Sequence, residues 1–91
     1  MKDYSEKQIH ELCEHLDIQS ELFIECLEES VIEIHESNDH LDLDGGSVLH
    51  LRRLQRICQT LNVEPPVAVL LHHLLQRIAE LEKRLPRGPD A

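Results

Sequence analysis

Apolar residues in the first 30 positions have the spacing of two short helices. Ser5 followed by Gln8 is a capping-box signature for the start of the first. The apolar positions after it come three and four residues apart, at Ile9, Leu12, Cys13 and Leu16. Residues 17–19 leave room only for a turn, and Ser20 is the expected N-cap of a second helix. Its predicted buried side is Leu22, Phe23, Cys26 and Leu27. Two short amphipathic helices on such a turn predict a helix-turn-helix.

The next segment alternates apolar and polar residues with period two, which is typical of β-strands. We predict a small hairpin, or wing, with strands at residues 31–34 and 40–43 and a turn at Ser37-Asn38-Asp39. Asp44-Gly45-Gly46-Ser47 ends the second strand and supplies N-cap candidates for a third helix. The predicted inner side of that helix is Val48, Leu51, Leu54, Ile57, Cys58 and Leu61.

Pro65 and Pro66 indicate the start of a fourth helix, because proline is not tolerated in the middle of one. From there to Arg84 the chain contains no helix breaker. Apolar residues follow in alternating steps of three and four, at Leu71, Leu74, Ile78, Leu81 and Leu85. This spacing keeps one stripe facing a partner helix, as in a coiled coil, so we predict that these five residues form a dimer interface. The same stripe could instead pack on the third helix within one subunit.

Together these elements predict a mainly α-helical fold: a winged helix-turn-helix with a small β-hairpin and a long C-terminal helix. We expect the helix-turn-helix domain, with wing and third helix, over residues 1–63, a dimerisation helix over 64–85 and a flexible tail over 86–91. The three cysteines lie on apolar stripes and lack C-x-x-C spacing, which favours reduced core residues. No apolar run reaches membrane-spanning length, so we expect a cytoplasmic protein.

Charge is divided unevenly along the chain. Residues 1–44 contain two basic and 14 acidic residues, whereas residues 45–91 contain seven basic and four acidic ones. The net charges of the two halves are therefore −12 and +3, within a total of −9. Residues 20–30, which would read DNA in an ordinary helix-turn-helix protein, include four glutamates and neither lysine nor arginine. Such a chain is better suited to a basic protein surface than to a nucleic acid.

The second helix provides the candidate partner-binding residues. Glu21, Glu25 and Glu28 fall on one line of this helix, opposite the predicted core side, and Ile24 lies beside them. An apolar residue rimmed by carboxylates suits a small protein–protein contact, in which the apolar centre gives affinity and the charges give orientation. The alternative is that the glutamates are only a solvated face and that Ile24 packs on the wing.

Arg52, Arg53 and Arg56 form the concentrated basic patch, on the outer side of the third helix, and are the best case for binding nucleic acid. A duplex-binding protein of this kind needs cations on the second helix and the wing, because affinity comes largely from neutralising phosphates. Those elements carry acidic residues instead, including Glu33, Glu36, Asp39 and Asp42. We therefore expect the three arginines to pair with the acidic half of the chain.

Seven histidines raise the question of a metal site. His10 and Cys13 are three residues apart, but no such spacing repeats to give four ligands. The pairs His10–Glu14 and Glu11–His15 have the i, i+4 spacing of helix-surface pairs, which explains them without a metal. No nucleophile has an adjacent base, and no glycine-rich phosphate loop is present. We expect no metal, no cofactor and no enzymatic activity.

Several short segments, taken in order, carry a family resemblance. They are Glu11-Leu12-Cys13, Ser20-Glu21-Leu22, Leu27-Glu28-Glu29-Ser30-Val31-Ile32, Leu43-Asp44, Leu51-Arg52-Arg53-Leu54 and Leu74-Leu75-Gln76-Arg77-Ile78-Ala79-Glu80-Leu81-Glu82. In this order and spacing they resemble the bacterial chaperone-modulator family of CbpM type, which is similar to the DNA-binding half of MerR regulators. The resemblance covers nearly the whole chain. Ser30 departs from it, because many members have glycine at this position.

The resemblance implies a dimeric helical protein that binds the J-domain of a DnaJ-like co-chaperone and inhibits its work with a DnaK-type chaperone. A J-domain presents a basic helix to its chaperone, so an acidic competitor surface would favour the encounter. A MerR-like DNA-binding transcription regulator is the alternative function. A plain oligomerisation module is the third, if neither ligand binds.

Overall fold

The computed structural model describes residues 5–38 and 40–85. Within these residues the elements in chain order are α1 (Glu6–Leu16), α2 (Ser20–Glu28), β1 (Ile34–Ser37), β2 (His40–Leu43), α3 (Gly45–Leu61) and α4 (Pro65–Arg84). The predicted winged helix-turn-helix is confirmed: α1 and α2 form the helix-turn-helix, and antiparallel β1 and β2 form the wing. The predicted tail over 86–91 and the turn residue Asp39 lie outside the described residues. The predicted domain boundaries stay predictions.

The ends of α1 follow from its local sequence. Ser5 forms the expected capping box: the Gln8 backbone N–H donates to Ser5 Oγ at 3.1 Å, and the Ser5 backbone N–H donates to Gln8 Oε1 at 3.3 Å. Asp17 ends the helix in the left-handed conformation, with φ of 57°. Aspartate tolerates this region better than most residues, so the chain reverses there without glycine.

The start of α2 differs from the prediction, because Ser20 is its first residue and Gln19 is its N-cap, with no side-chain capping bond. The turn is held instead by Gln55 of α3, 36 residues away along the chain. The Gln19 backbone N–H donates to Gln55 Oε1, and Gln55 Nε2 donates to the Asp17 carbonyl, each at 2.9 Å. A long-range contact thus replaces the local cap.

The first strand of the wing begins later than predicted. Residues 31–33 precede it, and the pairing runs from Ile34 opposite Leu43 to Ser37 opposite His40. Ile32 is 2% exposed and belongs to the hydrophobic core, which explains the apolar pattern that was interpreted as strand. The Glu33 backbone N–H donates to the buried hydroxyl of Ser47 at 3.2 Å, which fixes the entry of the wing to the start of α3.

Ser30, directly after the C-cap of α2, has φ of 58°. A left-handed conformation costs a residue with a Cβ atom about 1–2 kcal/mol, and glycine avoids this steric cost. Part of that gain is cancelled, because glycine has more conformational entropy to lose on folding. We expect Ser30→Gly to raise the free energy of unfolding by about 0.5–1 kcal/mol, measured by urea denaturation. Asn62→Gly, at φ of 54°, is the matched control and should gain less, because asparagine tolerates this region. An unchanged or lower stability of Ser30→Gly would contradict the strain argument.

The boundaries of α3 and α4 confirm the predicted start signals. Asp44 is the N-cap of α3 and accepts a 2.7 Å hydrogen bond from the Ser47 backbone N–H, which lowers the pKa of the Asp44 carboxyl. Pro65 begins α4. The prediction for Leu61 is wrong: this residue ends α3 and is 57% exposed, because Asn62 turns the chain away in the left-handed conformation.

The core lies where α1, α2, α3, the first half of α4 and the base of the wing meet. Its largest fully buried side chains are Phe23, Leu22, Leu51, Leu54, Val69 and Cys26. The wing contributes Leu43, and α4 contributes Ala68 and Val69. After His72 every described residue of α4 is exposed, so the second half of this helix projects beyond the core.

Candidate protein-binding surface

Ile24 lies on the outer side of α2 and is 42% exposed, whereas its neighbour Phe23 is fully buried. Glu21 and Glu28 are exposed and Glu25 is half-buried. These four residues, Glu21, Ile24, Glu25 and Glu28, are called the α2 acidic face below. The arrangement follows from the helical repeat: with Leu22, Phe23 and Cys26 in the core, the glutamates and Ile24 point outward.

Ile24 separates two surface depressions, and its side chain lines both. The first, about 470 Å³ in volume, lies between α1 and α2 and is lined by Glu6, Lys7, Ile9, His10, Ser20 and Ile24. The second, about 390 Å³, lies between α2 and the start of α4 and is lined by Glu21, Ile24, Glu25, Glu64, Pro65 and Pro66. The lining of the second therefore includes three glutamates and no basic residue.

The structure adds Glu64, Pro65 and Pro66 to the residues expected at this surface. The sequence indicated the prolines only as the start of α4, because the packing of α4 against α2 joins residues some 40 positions apart. Glu28 is exposed but lines neither depression. The structure thus brings Glu21, Ile24 and Glu25 together with the start of α4, and places Glu28 at the end of α2 beyond the two depressions.

The depressions beside Ile24 are lined by α1 and α4, while the wing packs against α1 through β2. The alternative in which Ile24 packs on the wing therefore has no support in the contacts around it. A third depression, of about 610 Å³, lies between α1 and the wing. Its lining is mostly polar and exposed, at residues that include Glu11, His15, His40 and Asp42. Its two apolar lining residues, Leu12 and Leu41, are half-buried, whereas Ile24 is exposed.

Arg52, Arg53 and Arg56, called the α3 arginine patch below, are all exposed on the outer side of α3. We expected them to pair with the acidic half of the chain. That expectation is wrong for the part of the chain that the structure describes, where the ion pairs are His10–Glu14, His35–Asp44 and Arg77–Glu80. The reason is geometric: the glutamates of α2 surround Ile24, and no acidic residue lies on α3.

The predicted dimer residues Leu71, Leu74, Ile78, Leu81 and Leu85 are called the α4 leucine stripe below. Leu71 is half-buried, whereas Leu74, Ile78, Leu81 and Leu85 are 43–65% exposed. Leu70 and Leu75 are also exposed beside the stripe, which widens it. Within one chain, therefore, only the first residue of the stripe is partly covered. Contiguous apolar surface of this kind typically marks a site of protein–protein interaction.

The surroundings of the remaining histidines and of the three cysteines indicate structural roles. His10 Nε2 lies 2.8 Å from Glu14 Oε1, as expected for neighbours on a helix, whereas Glu11 and His15 form no such pair. Among residues 5–38 and 40–85, no three His, Cys, Asp or Glu side chains are arranged to hold a metal ion.

Cys13, Cys26 and Cys58 are free and buried. Burial, with smaller effects from Cys58 and Glu25, raises the pKa of the Cys26 thiol to about 12, so this thiol stays protonated at neutral pH.

The comparison with protein families agrees with the geometry. None of the helices in the described part of the chain combines the length and the apolar character needed to cross a membrane. The search of curated proteins and that of solved structures gave no match. The family model described as MerR HTH family regulatory protein matches residues 8–87, which is nearly the whole chain and includes both helices of the helix-turn-helix, the wing, α3 and α4. The chain therefore belongs to the MerR helix-turn-helix family of regulatory proteins.

Proposed function

We propose that this protein is a chaperone modulator of CbpM type, which binds the J-domain of a DnaJ-like co-chaperone and inhibits its cooperation with a DnaK-type chaperone. The observation that carries the proposal is the surface around Ile24. An apolar side chain stands between two depressions, and the second is lined by two glutamates of α2 and by Glu64, the N-cap of α4. This surface occupies the helix that would face DNA in an ordinary member of the family.

The charge of this surface argues for a cationic protein partner. Glu21, Glu25 and Glu64 line one depression together, so phosphate groups approaching there would be repelled. A basic helix would instead be attracted, and its apolar side chains could cover Ile24 as the charges fix its orientation. A J-domain presents such a helix to its chaperone, so occupying it would block the co-chaperone's work.

The decisive experiment is a titration of the purified J-domain with this protein, followed by NMR. We expect shifts in resonances of the basic helix of the J-domain. Replacing Glu21, Glu25 and Glu28 by lysine should raise the dissociation constant at least about tenfold, equivalent to about 1.4 kcal/mol, because attraction becomes repulsion. Ile24→Ala, which keeps every charge, should also weaken the complex by removing its apolar centre.

The control variant replaces Glu11, Glu33 and Glu36 by lysine. These residues are exposed, lie outside the α2 acidic face and produce the same change in net charge. The control should bind the J-domain nearly as tightly as the unmodified protein. Equal weakening by both triple variants would show that only overall charge matters and would remove the α2 acidic face from the proposal. Failure of the unmodified protein to bind any J-domain would contradict the proposed function itself.

A DNA-binding transcription regulator is the second candidate function. Membership of the MerR family favours it, together with the exposed α3 arginine patch, which forms no ion pair among the described residues. This function predicts that the protein binds duplex DNA. The logarithm of the association constant should then fall linearly with the logarithm of the salt concentration, with a slope of about −0.9 for each phosphate contacted. Replacing Arg52, Arg53 and Arg56 by glutamine should then reduce that slope by about 3 at most, as measured by fluorescence anisotropy.

We propose that the active form is a homodimer held together through the α4 leucine stripe. The support is the projection of α4 beyond the core after His72, where Leu74, Ile78, Leu81 and Leu85 are exposed in the single chain. Their alternating steps of three and four residues suit the packing of one helix on another. Dimerisation would also bury surface in addition to that buried in the core of a domain of only 91 residues.

We further propose that the protein acts by binding alone and not as an enzyme. Glu21 and Glu25 line a depression that is open to water, which suits the steering of a charged partner better than proton transfer at an enclosed site. The three buried thiols are protonated core residues rather than nucleophiles. Free buried cysteines are typical of reducing compartments, in keeping with a cytoplasmic modulator.

A further inference from the structure

Two imidazole rings meet where α4 packs on α3, away from the α2 acidic face. The ring centroids of His50 and His72 are 4.9 Å apart and their planes meet at 73°, an edge-to-face contact. His72 is only 8% exposed. His50 is half-buried, and its Nδ1 atom is buried without a hydrogen-bond partner among the described residues. This contact joins the two helices just before α4 leaves the core.

The titratable and charged groups that act on His72 are all basic. They are His50 and Arg53 from α3 and His73 from α4 itself, whose ring centroid is 5.8 Å from that of His72. The other helix packed against α4 is α2, and its Glu21 and Glu25 line a depression with the first turn of α4 instead. A proton added to His72 would therefore meet the Arg53 guanidinium and two other imidazoles, without a carboxylate to balance it.

We infer that the His50–His72 contact is an acid-sensitive connection between α3 and α4, which holds α4 on the core while the buried His72 imidazole is neutral and weakens when His72 takes up a proton. A buried charge without an anionic partner is costly, and separating the two helices allows water to solvate it. Ala68 and Val69, buried one turn earlier on α4, would lose part of their cover at the same time. Regulation of this kind is independent of which partner the α2 acidic face binds.

The direction of the pH dependence follows from the pKa of His72. Burial lowers this pKa most, and His50, His73 and Arg53 lower it further, so the folded chain binds the proton less readily than the unfolded chain does. The contribution of His72 to the free energy of unfolding is therefore fully present above the unfolded-state pKa of about 6.5, and it is lost as the pH falls below that value. A general effect opposes this loss, because protonating exposed histidines reduces the self-repulsion of a chain with net charge −9.

The test compares the unfolding of the unmodified protein and of His72→Leu in urea between pH 7.5 and 5.5, at one protein concentration. We expect the unfolding equilibrium constant of the unmodified protein to rise relative to that of the variant as the pH falls, by no more than about tenfold per pH unit, the limit for one proton. His40→Gln is the control, because His40 is exposed on β2, and it should keep the pH dependence of the unmodified protein.

A second measurement needs no variant at this position. In the unmodified protein, NMR resonances of the His72 imidazole should titrate below the free-histidine value of about 6.5, and amide protection in α4 should fall together with that titration. A His72→Leu variant with the same pH dependence as the unmodified protein would overturn the inference. So would titration of His72 at or above the free value, which also decides the matter if His72→Leu does not fold.

Discussion

Replacing Leu74 and Ile78 together by glutamate is expected to convert the proposed dimer into a monomer. Both residues lie on the α4 leucine stripe, are at least half-exposed in the single chain and occupy the part of the helix beyond the core. A dimer would place them at its centre, where two buried carboxylates per subunit would each cost several kcal/mol. Sedimentation should therefore report the mass of one 10.6 kDa chain in place of two.

Leu49→Glu is the matched control for this experiment. Leu49 is 55% exposed on the outer side of α3, close to the exposure of Leu74 and Ile78, but lies outside the stripe. The control should keep the mass of the dimer. The double variant should keep its helical circular dichroism, because the residues that hold α4 on the core, among them Val69, are untouched. A dimer that survives in the double variant would place the interface elsewhere and contradict the proposal.

The elements of the fold were predictable wherever a local signal defines them. The capping box at Ser5 and Gln8, the Asp44 cap and the Pro65-Pro66 start each act within a few residues, and each was confirmed. Such signals work because the backbone groups at a helix end must find partners nearby. The start of the first strand, at Ile34, was misplaced, since a loop that places Ile32 in the core gives the same apolar pattern as a strand.

Features that depend on distant residues could not be predicted in this way. Gln55 replaces the expected cap of α2, although nothing in the sequence near Ser20 indicates it. The candidate surface has the same origin: the exposure of Ile24 follows from helical periodicity, but its second depression depends on how α4 crosses α2 and brings Pro65 and Pro66 beside it. Helical spacing thus indicates which side chains point outward, whereas the walls around them depend on tertiary packing.

The distribution of charge along the sequence likewise predicted the surface only in part. The division of charge between the two halves is a property of composition, and the acidic lining beside Ile24 agrees with it. Pairing between those halves requires that opposite charges meet in space, and the α3 arginine patch lies on a side of the fold where the described residues provide no carboxylate within ion-pair distance. The three arginines are exposed on α3, which is why the DNA-binding measurement belongs beside the J-domain titration.

Phe23→Ala is expected to be the most damaging single substitution to the fold. Phe23 is fully buried, is the largest of the fully buried side chains and is the only phenylalanine of the chain. Its removal loses the favourable burial of the aromatic ring and leaves a cavity that the rest of the core fills only in part, at a cost of about 3–5 kcal/mol. Small domains have about 5–15 kcal/mol in all, so the urea midpoint should fall steeply.

The next position gives the contrasting variant. Ile24→Ala removes a side chain that is 42% exposed, so the free energy of unfolding should fall by less than about 1 kcal/mol. The same variant should weaken J-domain binding, as proposed above, whereas Phe23→Ala should lower binding only in proportion to the unfolded fraction. Two adjacent residues on α2 would then separate the side that maintains the fold from the side that meets the partner. A large loss of stability in Ile24→Ala would assign this residue to the core and deprive the proposed surface of its apolar centre.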